Sequence, residues 1–127
     1  MKLVFDTSIL IDALRLHKNA RDVLARVEQT DHELFLPSIV GFKLFSGESS
    51  RKEDQVRKIK ELLTFFDIVE LNWDIAKVAG EIFREVNKNM QVPDYIVAAT
   101  TLNIGASLVT LNRKHFEIIP GLALYSF

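Results

Sequence analysis

The sequence predicts an α/β fold in which a short parallel sheet of about five strands lies between helices, in three α/β/α layers. Short apolar segments, which are typical of strands buried on both faces, alternate along the chain with segments whose apolar residues recur at helical spacing. The 127 residues are 48% hydrophobic and 26% charged, as in an ordinary globular protein of single-domain size. We therefore expect residues 1–127 to form one domain.

Five segments are predicted to be strands because each is short and apolar. They are residues 3–5, 34–36, 68–71, 107–110 and 122–125. Strands that alternate with helices in this way pair in parallel, since the connecting helix returns the chain to the same end of the sheet. The carboxyl ends of the predicted strands therefore share one edge of the sheet.

Capping residues and apolar spacing predict the helices between these strands. Ser38 begins a helix that ends near Gly47. Ser50 with Glu53 resembles a capping box before a helix over residues 56–66. The clearest helical pattern consists of apolar residues at i, i+3, i+4, i+7, i+8 and i+11, namely Ile75, Val78, Ala79, Ile82, Phe83 and Val86.

The composition excludes several kinds of protein. The chain has no cysteine, which excludes a disulfide framework, a thiol nucleophile and a thiolate zinc site. Its formal net charge is −1, so it lacks the global positive field of many nucleic-acid binders, and only a local basic face remains. No apolar stretch approaches the roughly 20 residues that span a bilayer, and the first residues do not resemble a signal peptide. We therefore expect a cytoplasmic protein with no membrane contact.

Polar residues that can carry chemistry follow the predicted strands. Asp6 and Asn112 come after two of them, and parallel sheets bind ligands beyond the carboxyl ends of their strands. Asp94 follows Pro93 at the start of a helix that is apolar on nearly every side and ends at Gly105. Each residue also has an ordinary structural interpretation: a helix cap for Asp6, a favourable charge at a helix N-terminus for Asp94, and a turn for Asn112.

Two acids and an amide at one edge of a sheet form a set of oxygen ligands. With no cysteine and three dispersed histidines in the chain, such a set favours Mg²⁺ or Mn²⁺ over zinc. An ion of this kind activates water and stabilises the charge that develops on a phosphate. Together these residues indicate metal-assisted phosphate chemistry.

Four segments of the chain match a known set of motifs. They are residues 3–12 (LVFDTSILID), 37–47 (PSIVGFKLFSG), 94–100 (DYIVAAT) and 108–116 (LVTLNRKHF). Through them the sequence resembles the PIN-domain ribonucleases, and more narrowly the VapC-type toxins of bacterial or archaeal toxin–antitoxin pairs. The resemblance covers nearly the whole chain. It implies a PIN-like fold and an endoribonuclease that depends on Mg²⁺ or Mn²⁺ and cuts RNA by metal-assisted hydrolysis.

The resemblance also implies roles for individual residues. Asp6 and Asp94 match the acids that hold the metal, and Asn112 takes the place of a further ligand, which is an Asp or Asn in the family. Supporting hydroxyls, which orient the acids or a bound water, are matched by Thr7, Ser8 and Thr110.

Position 43 departs from the family pattern. The second motif normally carries a glutamate there, and this chain has Lys43. The register is set by Ser38, Leu44 and Gly47, and Glu48 points elsewhere on a helix and does not substitute. The formal charge of the three acidic positions thus rises from −3 to −1. An ammonium about 4 Å from a carboxylate gains roughly 4 kcal/mol before desolvation at an effective dielectric of about 20, so Lys43 can occupy the place of the metal.

Two functions follow from this departure. The first is a toxin ribonuclease that binds Mg²⁺ weakly and cleaves poorly because of Lys43. The alternative is a catalytically inactive PIN-like module that binds RNA or an antitoxin protein without cutting. Without the resemblance, Lys43 is an ordinary lysine on a solvent-exposed helix face.

The sequence also offers surfaces for RNA and for partner proteins. Arg113, Lys114 and His115 adjoin Asn112, and we expect the first two to hold RNA phosphates. Basic residues in 51–60 are interleaved with acids and predict a solvated helix face. Another basic group comprises Arg15, His17, Lys18 and Arg21. The resemblance implies a homodimer and a groove near the acids for an antitoxin segment, with which four apolar residues are compatible, although they also suit a core: Leu14, Leu16, Phe42 and Phe45.

Two other phosphate-handling classes fit the sequence less well. A hydrolase of the haloacid dehalogenase type needs Asp-x-Asp after the first strand, and the position two residues after Asp6 is Ser8. A receiver domain needs an acid pair there and a phosphoaccepting Asp after the third strand. Asp6 stands alone, and Asp54 lies in a charged helix.

Overall fold

The computed structural model describes residues 1–15, 18–28, 31–86 and 90–126, without the side chains of residues 18–20, 28, 48 and 49. Four described strands form one sheet: β1 (Lys2–Phe5), β2 (Glu33–Pro37), β3 (Asp67–Val69) and β4 (Ser107–Val109). They lie in the order β3-β2-β1-β4, and every pair is parallel. The predicted α/β class with a parallel sheet is confirmed.

The strand β1 is central because it is apolar on both faces. Leu3, Val4 and Phe5 are fully buried, and Leu3 pairs with Leu34 on one side and Ser107 on the other. A strand with this pattern loses its hydrophobic burial at a sheet edge and keeps it only between two neighbours. The end of β1 therefore lies in the middle of the sheet, where Asp6 follows it.

The prediction of a fifth strand over residues 122–125 is wrong for the described residues. This segment makes a single parallel bridge, between Leu124 and Leu108, with two hydrogen bonds of 2.8 Å to Leu108. Gly121, at φ +77°, turns the chain towards β4 after Pro120. Only a short stretch then runs beside β4, so the edge pairing does not extend into a ladder.

Seven described helices accompany the sheet. They are α1 (Thr7–Leu14), α2 (Lys18–Glu28), α3 (Ser38–Ser46), α4 (Glu53–Leu63), α5 (Trp73–Val86), α6 (Val92–Asn103) and α7 (Arg113–Phe116), with a 3₁₀ turn at Glu48–Arg51. The helix α6 contacts β1, β2, β4 and α3, and it is buried along most of its length, as its apolar sequence predicts. The helix α5 packs on α6 through Ile75 and Ala79.

The start of α4 differs from the sequence prediction. The capping box of Ser50 and Glu53 does not form, because the Ser50 hydroxyl donates to the carbonyls of Phe45 and Gly47 and Lys52 occupies the N-cap of α4. At the start of α5, the Asn72 side chain accepts from the N–H of Ile75 at 2.9 Å. No helix among the described residues has the length and apolar character needed to cross a bilayer.

Candidate active site

The carboxyl ends of β1 and β4 bring two distant parts of the chain together. Phe5 pairs with Val109, and the N–H of Asp6 donates to the carbonyl of Val109 at 3.0 Å. Asp6 therefore follows β1 at the same level at which Thr110 follows β4. This is the edge of the sheet at which parallel α/β folds place their ligands.

The Asp6 carboxylate is buried and is held by three donors. It is only 3% exposed; one oxygen accepts from the N–H of Thr7 at 2.8 Å, and the other accepts from the hydroxyls of Thr110 at 2.8 Å and Ser8 at 2.9 Å. A buried carboxylate is costly unless it is hydrogen-bonded in this way. Asp6 thus caps α1, as its structural interpretation predicts, and it also presents a rigid acid at the sheet edge, where its role towards a ligand stays a prediction.

The two hydroxyls that hold Asp6 also hold the following loop. The Ser8 hydroxyl accepts from the N–H of Leu111 at 3.1 Å, and the Thr110 hydroxyl accepts from the N–H of Asn112 at 3.0 Å. Ser8 and Thr110 lie 3.4 Å apart through their hydroxyl oxygens. The backbone of the loop after β4 is therefore fixed relative to the acid. Thr7, the third predicted hydroxyl residue, contacts Asp6 through its backbone N–H.

Asn112 enters this network through its backbone. Its side chain makes no capping hydrogen bond at the start of α7, and the residue is exposed. Arg113 and Lys114 follow on the exposed surface, and the Arg113 guanidinium donates to the carbonyl of Tyr125 at 3.0 Å. Arg113 is therefore engaged in holding the segment after Gly121, whereas Lys114 faces solvent.

Asp94 lies in the first turn of α6, where it completes a capping box with Gln91. One Asp94 oxygen accepts from the N–H of Gln91 at 3.1 Å, and the Gln91 side chain accepts from the backbone of Asp94. The Gln-x-x-Asp spacing of residues 91–94 is a sequence signal for this capping box. The capping contact leaves the other oxygen, Oδ1, turned away from the helix start.

That second oxygen of Asp94 faces Lys43. The Nζ atom of Lys43 lies 3.7 Å from Asp94 Oδ1, with the two side chains 28% and 15% exposed. The distance is that of an ion pair rather than of a short hydrogen bond. The view of Lys43 as a fully exposed surface lysine is therefore wrong, because α3 packs on α6 and brings the ammonium to the acid.

The residues present do not fit a metal centre of three acids. Asp6 directs its oxygens to three protein donors, and Asp94 has a lysine ammonium on its outward oxygen. Across the described part of the chain, no group of three His, Cys, Asp or Glu side chains could hold a metal ion. Position 43, where the resemblance implies a third acid, carries a cation, so the local charge opposes a dication.

Beside Lys43 lies a cavity of about 450 Å³ between α1, α3 and α4. Its charged lining residues among those described are Arg15 and Lys43, and the amide of Gln55 lies with them. Arg15 belongs to a basic group that is visible in the sequence, whereas no sequence pattern indicates a role for Gln55. His17 and Leu16, which belong to the same stretch, are outside the described residues, as is the side chain of Glu48.

The match to the PIN domain model extends over residues 3–122, and the chain belongs to the PIN domain family. Among its relatives, Ribonuclease VapC19 of Mycobacterium tuberculosis is 29% identical over 125 residues, which are 96% of this chain and 97% of that protein. The predicted family resemblance is thus confirmed at the level of the domain.

Solved structures show the same architecture. VapBC2 from Rickettsia felis, solved with a DNA fragment from its promoter, contains a chain that matches with a TM-score of 0.86 and 24% identity, covering 100% of this chain and 99% of that one. A toxin–antitoxin complex from Klebsiella pneumoniae matches with a TM-score of 0.79 and 27% identity, covering 98% and 99%. The fold therefore corresponds to that of one chain in each of these structures, over nearly the full length of both chains.

Proposed function

We propose that this chain is a VapC-type toxin ribonuclease that acts on RNA in the cytoplasm and has been weakened by Lys43. The observation that carries the proposal is the buried Asp6, clamped by Ser8 and Thr110 at the sheet edge of a PIN domain. Relatives named ribonuclease VapC, which align over nearly their whole length, support the same substrate class.

The proposed weakness arises from the Lys43–Asp94 ion pair. A dication near Asp94 has to displace the ammonium that lies 3.7 Å from its outward oxygen and also meets the repulsion of that ammonium. Both effects lower affinity for Mg²⁺ or Mn²⁺, the ions that the family resemblance implies. We therefore propose that this chain keeps the family's dependence on a metal ion, and that its side chains bind this ion weakly.

Replacing Lys43 tests the proposal directly. We expect Lys43→Glu to bind Mg²⁺ at least about tenfold more tightly than the unmodified chain, since it removes the competing cation and adds a third acid. Calorimetry measures the binding, and a fluorescent RNA measures Mg²⁺-dependent cleavage with and without EDTA. Lys77→Glu makes the same charge change on the exposed face of α5 and serves as the control. Equal and robust cleavage by all three proteins would refute the impairment.

The alternative function is a PIN domain that binds RNA or an antitoxin without cutting. The ion pair favours it, because a neutralised Asp94 suits binding better than metal chemistry. RNA binding that is unaffected by EDTA, together with no cleavage even by Lys43→Glu, would select this alternative over the weakened nuclease.

We also propose an antitoxin partner and a homodimer. The structures from Rickettsia felis and Klebsiella pneumoniae are toxin–antitoxin complexes, which supports a protein partner for this chain. Phe42 and Phe45, which the sequence analysis left open between core and interface, are both exposed on α3, and Leu14 is only partly buried. Light scattering of the unmodified chain and of Phe42→Ser tests the dimer: a smaller mass for the variant alone assigns Phe42 to the interface.

A further inference from the structure

The cavity beside the Lys43–Asp94 pair combines an aliphatic floor with a cationic rim. Its apolar lining comes from α1, α3 and α4, and consists of Ile11, Leu14, Leu44 and Ile59. Leu44 and Ile59 are buried, while Ile11 and Leu14 are partly open to the cavity. Its volume of about 450 Å³ lies within the range of ligand pockets, roughly 300–1,000 Å³.

The rim of the same cavity is positive. Arg15, at the end of α1, is exposed, and Lys43 of α3 and Gln55 of α4 line the same cavity. The Nζ atom of Lys43 lies 3.7 Å from Asp94 Oδ1, so the Asp94 carboxylate offsets the charge of the ammonium only in part. Among the described lining residues no acid is present, and the cavity therefore attracts an anionic group.

We propose that this cavity binds a peptide segment that carries a carboxylate beside an apolar side chain. The inference rests on the proposed function, because it gives the chemistry of the segment that the antitoxin presents to this chain. The apolar side chain buries itself on the aliphatic floor, and the carboxylate pairs with Lys43 and Arg15 at the rim. Lys43 thus both reduces the attraction for a metal and sets the sign of the partner's charge.

The lining favours a peptide over RNA as the occupant. Single-stranded nucleic acid is held by bases that stack on aromatic rings, and none of the described lining residues is aromatic. A ribose–phosphate chain gains little from burial against isoleucine and leucine, whereas an aliphatic amino-acid side chain gains from it. Charge alone would suit a phosphate, so the test includes an RNA.

The test titrates three capped pentapeptides into the ¹⁵N-labelled full chain and follows its backbone amides by NMR. The peptides are Gly-Leu-Glu-Leu-Gly and its analogues with Gln or Lys in the centre. We expect the Glu peptide to shift the amides of Leu14, Lys43 and Gln55, the Gln peptide to bind about tenfold more weakly, and the Lys peptide to be weaker still. Equal binding of all three peptides would overturn the proposal.

Variants of Lys43 and Arg15 test whether these two cations cause the preference for the Glu peptide. Lys43→Met and Arg15→Met should each reduce the preference for the Glu peptide over the Gln peptide, and Lys77→Met, on the exposed face of α5 and outside the cavity lining, should leave it unchanged. The spectra show whether each variant is folded. If the Lys43 variant does not fold, the Arg15 variant still tests the role of the cationic residues. A preference that survives both rim changes contradicts the assignment.

An RNA probe separates the two kinds of occupant. Tetraadenylate should leave the amides of Leu14 and Gln55 unshifted. If it shifts them and the Glu peptide does not, the cavity is an RNA site and the proposal is wrong. Cleavage is measured on the same samples: absence of cleavage counts against the ribonuclease alone, whereas loss of peptide discrimination counts against the peptide site alone.

Discussion

Asp6 holds three parts of the fold together at the sheet edge where the candidate site lies. Its carboxylate accepts from the N–H that begins α1 and from two hydroxyls. One of these hydroxyls belongs to Thr110, which follows β4. The acid therefore holds the end of β1, the start of α1 and the end of β4 in one arrangement. Its position at the site is a consequence of contacts that the fold itself needs.

Removing one of these contacts should destabilise the chain. Thr110→Val keeps the shape of the side chain and deletes the hydroxyl that donates to Asp6 at 2.8 Å. We expect the free energy of unfolding to fall by about 1–3 kcal/mol, because a buried charged acceptor loses a donor. Urea denaturation measures the change.

An exposed threonine provides the control. The Thr64 hydroxyl donates to the carbonyl of Glu61 at the end of α4, close to solvent. Thr64→Val should cost clearly less than Thr110→Val, since water replaces the lost bond. Equal losses of stability would show that the hydrogen bond to Asp6 contributes no more than an exposed one.

Lys114 is the sharper test of the basic surface beside Asn112. Arg113 already donates to Tyr125, so its replacement alters the packing of the chain as well as its charge. If Lys114 contacts a phosphate, Lys114→Ala should reduce the slope of log affinity against log salt for a single-stranded RNA by about 0.7. Lys77→Ala, on the exposed face of α5, should not change it; an unchanged slope for Lys114→Ala removes it from the RNA surface.

At the scale of elements, sequence patterns predict what is decided locally and miss what depends on packing. The apolar segment at β1 and the periodic residues of α5 each fix their element, because burial of one strand or one helix face determines them. The short helix α7 has no periodic pattern and was not predicted. The ion pair of Lys43 with Asp94 depends on how α3 packs against α6, which the sequence alone could only suggest through the family motif.

Two wrong predictions have the same physical origin. Residues 122–125 are apolar enough for a strand, but only Leu124 reaches a bridge beside β4. Ser50 had the spacing of a cap, yet its hydroxyl donates to Phe45 and Gly47 at the end of α3. In both cases the local pattern predicts one set of hydrogen bonds, and contacts with other parts of the chain replace it.

The end of α6 offers a test of an element boundary. Gly105 has φ +67°, a conformation that L side chains rarely adopt, whereas Gly80 lies within α5 with open space around its missing Cβ. Gly105→Ala should lower the free energy of unfolding by about 1 kcal/mol, and Gly80→Ala should raise it by roughly 0.5–1 kcal/mol. Thermal unfolding measures both, and a stabilising Gly105→Ala would contradict the assigned boundary.

At the scale of the whole molecule, the charge at the site determines how strongly Mg²⁺ affects the stability of the fold. The chain has no described cluster of three acids that a dication would hold together, and Lys43 neutralises Asp94 from within. The stability of the unmodified chain should therefore depend only weakly on Mg²⁺. An acid at position 43 should make it dependent, because three acids repel one another until an ion binds.

Thermal unfolding with Mg²⁺ and with EDTA checks this link. The melting temperature of the unmodified chain should rise clearly less in Mg²⁺ than that of Lys43→Glu, since Lys43 weakens binding of the ion. Lys43→Glu should melt several degrees higher in Mg²⁺, as binding at 100 times Kd adds about 2.7 kcal/mol. A large Mg²⁺ effect on the unmodified chain would mean that an ion binds despite Lys43.

The clamp on Asp6 has a consequence for which mutations this protein tolerates. Because that carboxylate joins a strand, a helix start and a loop, its loss disturbs the whole centre of the sheet. Position 43 is different: it lies on a partly open helix face, where a cation finds an acid already in place. Under selection against a harmful activity, a folded but silent protein is therefore reached far more readily by a change at position 43 than by one at position 6.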